Sequence, residues 1–198
     1  WKDTDGDKIY ENEEGQKLSI KLTTNSFNDL RVRTLDIIAE NLKAIGIEVI
    51  KDYEQIAIEG ITEEVIENNW QSFERKIRSG NFEVALLGWD TSTMQNLDFM
   101  FHSSEEIGTE NFIRYENEDM DKILDNINAF QTQSEKKKHY AELQKLIIDD
   151  LPYVSLFFTN GAILSNKKLY GDLKPSFENV YNDIDEWFIP KKYQSEEQ

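Results

Sequence analysis

Acidic residues alternate near the start of the chain, at a spacing that calcium-binding loops use. The oxygen ligands of such a loop occupy positions 1, 3, 5 and 12. Those positions are filled here by Asp3, Asp5, Asp7 and Glu14. Position 6, where a glycine is expected for the sharp turn, is Lys8, and a strand rather than a helix is expected to follow. We therefore predict a solvated acidic hairpin, with weak binding of Ca²⁺ as the alternative.

A second candidate site follows the apolar run at residues 84–87, which Gly88 closes. A short apolar run between glycine and polar residues predicts a strand that is buried on both faces. Ligand clefts of open α/β sheets lie beyond the carboxyl ends of the strands. The residues that follow this strand are therefore candidates for ligand binding: Trp89, Asp90, Ser92, Met94 and Asn111. An alternative interpretation is that Trp89 covers the core and Asp90 caps the next turn.

Few residues could support catalysis. The chain has no cysteine, which excludes thiol nucleophiles and cysteine-ligated metals. Its two histidines, His102 and His139, are expected to be structural and solvent-exposed, respectively. No phosphate-binding loop or nucleophile-elbow motif occurs. Because the chain has 39 acidic residues, neighbours such as Asp149 and Asp150 are expected by chance, and a glycosidase pair stays open only as an alternative.

Composition narrows the possible partners. A chain of 198 residues with 38% hydrophobic residues can bury one large core or two small ones. Its net charge of −17 repels phosphate backbones and anionic lipid, which makes nucleic acid and membrane surfaces poor main partners. The longest apolar runs, at 84–87 and 154–158, are too short to cross a bilayer. The chain shows no signal peptide and its first residues do not resemble a natural start, so we expect a fragment of a longer protein.

Apolar periodicity predicts two consecutive βαβ units. Residues 17–25 alternate as a strand does, 28–44 have helical spacing with Asn28 as N-cap, and 47–53 form a second strand. A helix from Asn69 to Gly80 then leads into a strand at 82–87. Because a strand–helix–strand unit makes its two strands parallel, we expect an α/β fold with a mostly parallel sheet and flanking helices.

The second half is predicted to be mainly helical. One or two helical turns are expected at 97–101, then helices from Asn117 to about 130 and from Ser134 to about 150. Pro152 ends the last helix, because proline disfavours helix in the residue before it. Asn160-Gly161, between the apolar runs at 153–159 and 162–165, predicts a β-hairpin.

With these elements in place, the chain resembles the C-terminal lobe of family 5 extracellular solute-binding proteins, the oligopeptide- and dipeptide-binding type that serves ABC importers. The resemblance covers essentially the whole chain and rests on an ordered set of segments. These are WKDTDGD at 1–7, LKAIGIEV at 42–49, GNFEVALLGW at 80–89, NFIRYENEDMD at 111–121, YAELQKLIIDDLPY at 140–153 and YGDLKP at 170–175.

The resemblance implies a periplasmic-binding-protein-like lobe of a two-lobed clamshell that closes on its ligand. Residues 1–173 would form the C-terminal ligand-binding lobe, and 174–198 would return toward the first lobe, with a frayed tail. The implied partners are a peptide or other small polar solute, the ABC permease subunits and the upstream lobe. The implied location is extracytoplasmic, as a cell-surface lipoprotein or in the periplasm. Neither an enzyme activity nor a cofactor is implied.

The chain departs from the family at one ligand position. Peptide-binding members often carry an aspartate three residues after the tryptophan of the Gly-Trp pair, where it meets the peptide's amino terminus. Here that position is Ser92. Either Asp90 takes over this role, or the ligand is a sugar, another cation or a small metabolite. Two alternatives to a receptor stay open, namely a carbohydrate hydrolase fragment with paired carboxylates and a calcium-stabilised interaction module.

Overall fold

The computed structural model describes residues 1–54, 61–89, 96–104, 109–129, 132–159, 162–176 and 179–194. They fall into two compact units, Trp1–Tyr153 and Val154–Gln198. The predicted division into residues 1–173 and 174–198 stays a prediction. The assignment of 174–198 as a segment that returns toward another lobe stays a prediction.

A parallel sheet organises the first part of unit Trp1–Tyr153. Strand β1 (Ser19–Thr23) lies between β2 (Glu48–Asp52) and β3 (Val84–Ala85), in the order β2-β1-β3. Both pairings are parallel, with Ser19 opposite Glu48 and Leu22 opposite Val84. The predicted α/β fold with two βαβ crossovers is confirmed.

The prediction that the strand at 84–87 is buried on both faces is wrong. Among the described residues β3 pairs only with β1, and Val84 is 42% exposed. The central strand is β1, whose Leu22 and Thr23 are buried. An apolar run shows that a segment suits a sheet, but the strands beside it, which are distant in sequence, decide whether it is central.

Two helices cross over the sheet. Helix α1 (Asp29–Lys43) begins as predicted, because the Asn28 side chain accepts a hydrogen bond from the Arg31 N–H at 3.0 Å. Helix α2 (Glu63–Arg78) begins earlier than the predicted Asn69, since Thr62 caps it by accepting from the Val65 N–H at 3.3 Å.

Gly46 shapes the connection between α1 and β2. Its φ is +88°, and a Cβ at this position would lie 2.7 Å from the ring of Tyr10. The Tyr10 N–H donates to the Gly46 carbonyl at 2.9 Å. Only glycine combines this backbone conformation with such a close approach. The N-terminal turn is therefore held against the first crossover.

The rest of unit Trp1–Tyr153 is a helical cluster. It contains α3 (Asp98–Phe101), α4 (Glu118–Asn128) and α5 (Gln133–Asp150). The cap of α5 is Thr132, in a capping box with Glu135, rather than the predicted Ser134. The three helices share a buried apolar core formed by Met100, Phe101, Met120, Leu124, Ile127 and Leu143. Among the described helices, none is long and apolar enough to span a membrane.

Unit Val154–Gln198 contains two 3-10 turns, Ile184–Glu186 and Lys191–Tyr193, and a bridge between Tyr170 and Phe188. The predicted hairpin strands are absent from the described residues 154–159 and 162–165, and Asn160-Gly161 lies outside them. Many of the apolar side chains of this segment are exposed, including Phe158 at 85% and Leu164 at 96%. The Asn-Gly pair favours a turn through local interactions alone. The two strands of a hairpin are stable only when further strands or a helix pack against them.

Candidate functional site

The carboxyl ends of the three parallel strands meet at one edge of the sheet. We call residues 23–25, 52–54 and 86–89 the strand-exit edge. Its backbone is tied together at the centre, because the Leu86 N–H donates to the Thr23 carbonyl at 2.8 Å and the Thr24 hydroxyl donates to the Leu86 carbonyl at 3.2 Å. Such edges are where ligands bind in open α/β sheets.

An ion pair lies at the centre of the strand-exit edge. The Lys76 ammonium is 2.9 Å from both carboxylate oxygens of Asp52, and the Thr23 hydroxyl donates to one of them at 2.7 Å. Burial acts to raise the pKa of Asp52, but the hydrogen bonds from Thr23 and Lys76 outweigh it and lower the pKa below its ordinary value. Asp52 is therefore an anion at neutral pH, with its charge compensated by Lys76.

An amide on α2 joins the exits of β1 and β2. Asn69 is only 6% exposed. Its oxygen accepts from the Ser26 N–H at 3.2 Å, and its nitrogen donates to a Glu54 carboxylate oxygen at 3.3 Å. The Ser26 hydroxyl in turn donates to the Glu54 carbonyl.

These groups line an open recess with a volume of about 90 Å³. Its walls are Thr23, Thr24, Asp52, Tyr53, Glu54, Asn69, Ser72, Phe73 and Lys76. Sites that enclose a small-molecule ligand are typically several hundred Å³. The recess therefore suits one polar group of a larger ligand, and its donors, acceptors and charges suit an amide, an ammonium or a carboxylate.

Trp89 follows β3 at this edge, as predicted, but its ring packs against the helical cluster. The indole stacks on Phe112, with centroids 5.6 Å apart and an interplanar angle of 21°, and contacts Phe99 edge-on at 5.2 Å. The indole nitrogen is buried and has no hydrogen-bond partner among the described residues. This packing agrees with the interpretation in which Trp89 covers the core, and its role in ligand binding stays a prediction.

Of the other predicted ligand residues, the structure describes only Asn111. Asp90, Ser92 and Met94 lie outside the described residues. Asn111 is described, and its side chain closes a turn. Its nitrogen donates to the carbonyls of Tyr115 at 2.7 Å and His102 at 3.3 Å, and its oxygen accepts from the Tyr115 N–H at 2.9 Å. The polar atoms of Asn111 are therefore used within the protein.

The acidic turn keeps three of its four predicted residues together. Asp3, Asp5 and Asp7 lie close to one another, but the fourth carboxylate of the cluster is Glu11 rather than Glu14. The backbone N–H of Glu14 donates to the Asn12 side chain at 3.0 Å. Loop spacing alone does not reveal this exchange, because Glu11 is brought in by antiparallel bridges to Lys2 and Lys17.

The Asp52–Lys76 ion pair and the buried amide of Asn69 were not predicted from the sequence. Two sequence features could have predicted them. Asp52 ends a predicted strand, as Thr23 and Thr24 do, so all three are expected at one sheet edge. Asn69 and Lys76 lie on the apolar stripe of α2 with Phe73, at spacings of four and three residues, and polar residues on a buried stripe need partners.

The chain is similar in sequence to known binding proteins. No protein-family model matches the chain. The chain is 29% identical over 191 residues to the oligopeptide-binding protein AppA of Bacillus subtilis, which covers 96% of this chain and 33% of AppA. It is 32% identical over 111 residues to the probable D,D-dipeptide-binding periplasmic protein DdpA of Escherichia coli, which covers 54% of this chain and 22% of DdpA.

The fold is similar to that of solved oligopeptide-binding proteins. The structure of B. subtilis AppA in complex with a nonapeptide superposes with a TM-score of 0.67 and 26% identity, over 96% of this chain and 35% of that chain. A periplasmic oligopeptide-binding protein of Thermotoga maritima, bound to mannohexaose, superposes with a TM-score of 0.63 and 21% identity, over 91% of this chain and 32% of that chain. These relatives are binding proteins, and this chain spans about a third of the length of AppA. In sequence and in fold the chain is therefore similar to about a third of an oligopeptide-binding protein.

Proposed function

We propose that the chain forms one lobe of the extracytoplasmic substrate-binding component of an ABC importer, and that the component binds peptides. The observation that carries the proposal is the similarity to an oligopeptide-binding protein over 96% of this chain. The permease in the membrane would read the closed, ligand-bound state. In this proposal the chain has no enzymatic role, and the whole protein acts outside the cytoplasm, either in the periplasm or as a surface lipoprotein.

The strand-exit edge supports the proposal chemically. A peptide in extended form offers N–H and C=O groups along its length and a charge at each end. The recess at the edge offers the hydroxyl groups of Thr23 and Thr24, the amide of Asn69 and both members of the Asp52–Lys76 pair. Because Lys76 already compensates Asp52, the edge presents polarity without a large net charge, which suits a ligand of variable sequence.

Trp89 and the residues after it would form the ligand-facing wall. The packing of Trp89 on Phe99 and Phe112 fixes the point where the chain leaves β3. In the proposal, Asp90, Ser92 and Met94 contact the ligand, with Asp90 pairing with the peptide's amino terminus in place of the aspartate that the family places at Ser92. A peptide ammonium would need such a carboxylate, because a buried unpaired charge is costly.

Ligand-binding experiments on the full-length protein test the proposal. Ligands that co-purify with it are identified by native mass spectrometry, and peptides of different lengths are then titrated by calorimetry beside an oligosaccharide. We expect peptides to bind. Substitution Asp90→Asn is expected to weaken peptide binding roughly tenfold or more, while a peptide with an acetylated amino terminus should lose its sensitivity to this substitution.

Controls separate a lost contact from a lost fold. Trp1→Ala changes an exposed aromatic residue, 63% exposed, outside the strand-exit edge and should leave affinity unchanged. Trp89→Phe keeps an aromatic ring on the core, and its melting temperature reports whether the packing survives. Selective binding of the oligosaccharide would contradict the peptide assignment. Hydrolysis of a glycoside that disappears when a single carboxylate is replaced would contradict the receptor assignment.

A further inference from the structure

Four carboxylates converge in the N-terminal turn, outside the strand-exit edge. Asp3, Asp5, Asp7 and Glu11 each place an oxygen within 4.8 Å of the oxygens of the other three. Calcium–oxygen distances are about 2.3–2.6 Å, so two ligands on opposite sides of a calcium ion stand about 5 Å apart. The four oxygens are therefore close enough to share one Ca²⁺.

Glu11 supplies an observation independent of this clustering. It is 5% exposed, and one carboxylate oxygen, Oε2, accepts from the Thr4 N–H and the Thr4 hydroxyl, both at 2.8 Å. The other oxygen, Oε1, is buried and has no hydrogen-bond partner in the part of the chain that is described. An unsatisfied buried carboxylate oxygen is costly, and a cation bound by the four carboxylates would satisfy it.

The turn holds its carboxylates in place before any ion binds. Asp3 accepts the Gly6 N–H at 2.7 Å and the Lys8 N–H at 3.1 Å, and Asp5 accepts the Asp7 N–H at 3.0 Å. Lys8 has a φ of 74°, so it adopts the left-handed conformation for which a calcium loop ordinarily uses glycine. The lysine at position 6 therefore does not prevent the turn from forming.

Charge balance also favours a cation. The ion pair within the described cluster is that of Lys17 with Asp7. One ammonium facing four carboxylates leaves repulsion that a divalent cation would relieve. Oxygen-only ligands in a flexible loop suit calcium, whereas magnesium requires shorter distances and near-ideal octahedral geometry.

We propose that Asp3, Asp5, Asp7 and Glu11 bind a calcium ion that closes the N-terminal turn. The site is independent of ligand binding at the strand-exit edge. Glu11 bridges to Lys17, just before β1, and Ile9 is buried at 4% exposure. An ion held by these residues would therefore stabilise the turn against the first βαβ crossover.

Calorimetric titration of the EDTA-treated full chain with CaCl₂ tests the site. We expect one site, with a Kd on the order of 10⁻⁴–10⁻³ M as in extracellular calcium modules, and weaker binding of MgCl₂. Glu11→Gln is expected to weaken calcium binding roughly tenfold or more. Glu14→Gln is the matched control, because the loop spacing includes Glu14 whereas the folded cluster does not, and it should change the Kd less than about twofold.

Two further variants keep the test decisive. Lys17→Gln removes the competing ammonium and should strengthen calcium binding. If circular dichroism shows that Glu11→Gln does not fold, Asp5→Asn replaces it, because Asp5 is exposed and is expected to fold. The proposal is overturned if the wild-type chain shows neither binding heat nor a calcium-dependent rise in melting temperature. It is also overturned if Glu14→Gln weakens binding as much as Glu11→Gln does.

Discussion

Replacing Lys76 by methionine tests the ion pair of the strand-exit edge. The substitution keeps a side chain of similar length and leaves Asp52 with the Thr23 hydrogen bond and no cation. At 2.9 Å and an effective dielectric constant of 20, the gross attraction of the pair is about 6 kcal/mol. Desolvation of both groups and their partial exposure, 24% for Asp52 and 33% for Lys76, remove most of it. We expect Lys76→Met to lower the free energy of unfolding by about 1–2 kcal/mol at pH 7.

The pH dependence of this loss has a defined sign. The pKa of Asp52 is lowered in the folded protein from its ordinary value of 3.8. The stabilisation that comes from the lowered pKa is therefore complete above pH 3.8 and is lost as the pH falls through the folded value. The difference between wild type and Lys76→Met should be present at pH 7 and should shrink as the pH falls below 3.8 through the lowered pKa of Asp52.

Urea unfolding followed by circular dichroism at pH 7 and pH 3 measures both quantities. Lys145→Met is the matched control, since Lys145 is 76% exposed and pairs with Asp149 on the surface of α5. It should cost less than about 0.5 kcal/mol. The reasoning would be refuted if Lys76→Met cost no more than this control at pH 7, or if its effect were as large at pH 3.

The remaining predictions concern the cores and the buried phenols. Met120 is fully buried, so Met120→Ala should lower the free energy of unfolding by about 2–5 kcal/mol in urea, and an effect below 1 kcal/mol would contradict the described core. Gly171 has a φ of +121°, and a Cβ would lie 2.4 Å from the Glu186 carbonyl. Gly171→Ala should therefore speed hydrogen exchange at Tyr170 and Phe188, and unchanged exchange would contradict the bridge between them. Burial and a hydrogen bond to Asp150 raise the pKa of Tyr115 to about 12, so ultraviolet titration of Tyr115→Phe should show one phenol fewer ionising near pH 12 than wild type, and an unchanged titration there would contradict the assignment.

Local signals predicted most of the helices and the parallel strand–helix–strand connections of the sheet. Asn28 and Asn117 cap their helices as predicted, because each side-chain oxygen accepts from a backbone N–H in the first turn of the helix that follows it. The left-handed Leu151 ends α5 just before Pro152, as the proline predicts. The partners in these interactions are only a few residues apart in the sequence, so a local sequence pattern is enough to predict them.

Features that depend on distant partners were not predictable in the same way. The edge position of Val84–Ala85 depends on where β1 and β2 lie. Glu11 replaces Glu14 in the acidic cluster because backbone bridges to Lys2 and Lys17 turn it inward. Lys76 reaches Asp52 only after α2 has packed over the sheet. In each case the deciding contact joins segments that come together only in the folded protein, and their spacing in the sequence does not predict that contact.

The close approach of Tyr10 to Gly46 gives the N-terminal turn a built-in reporter. The Tyr10 amide hydrogen is held by the Gly46 carbonyl, and the Leu18 N–H donates to the Tyr10 carbonyl at 2.6 Å. Neither amide can exchange its proton with water unless the turn detaches from the loop between α1 and β2. The hydrogen-exchange rates of these two amides therefore report how often the turn detaches. An ion bound in the turn should slow this exchange, so its binding could be followed without a label.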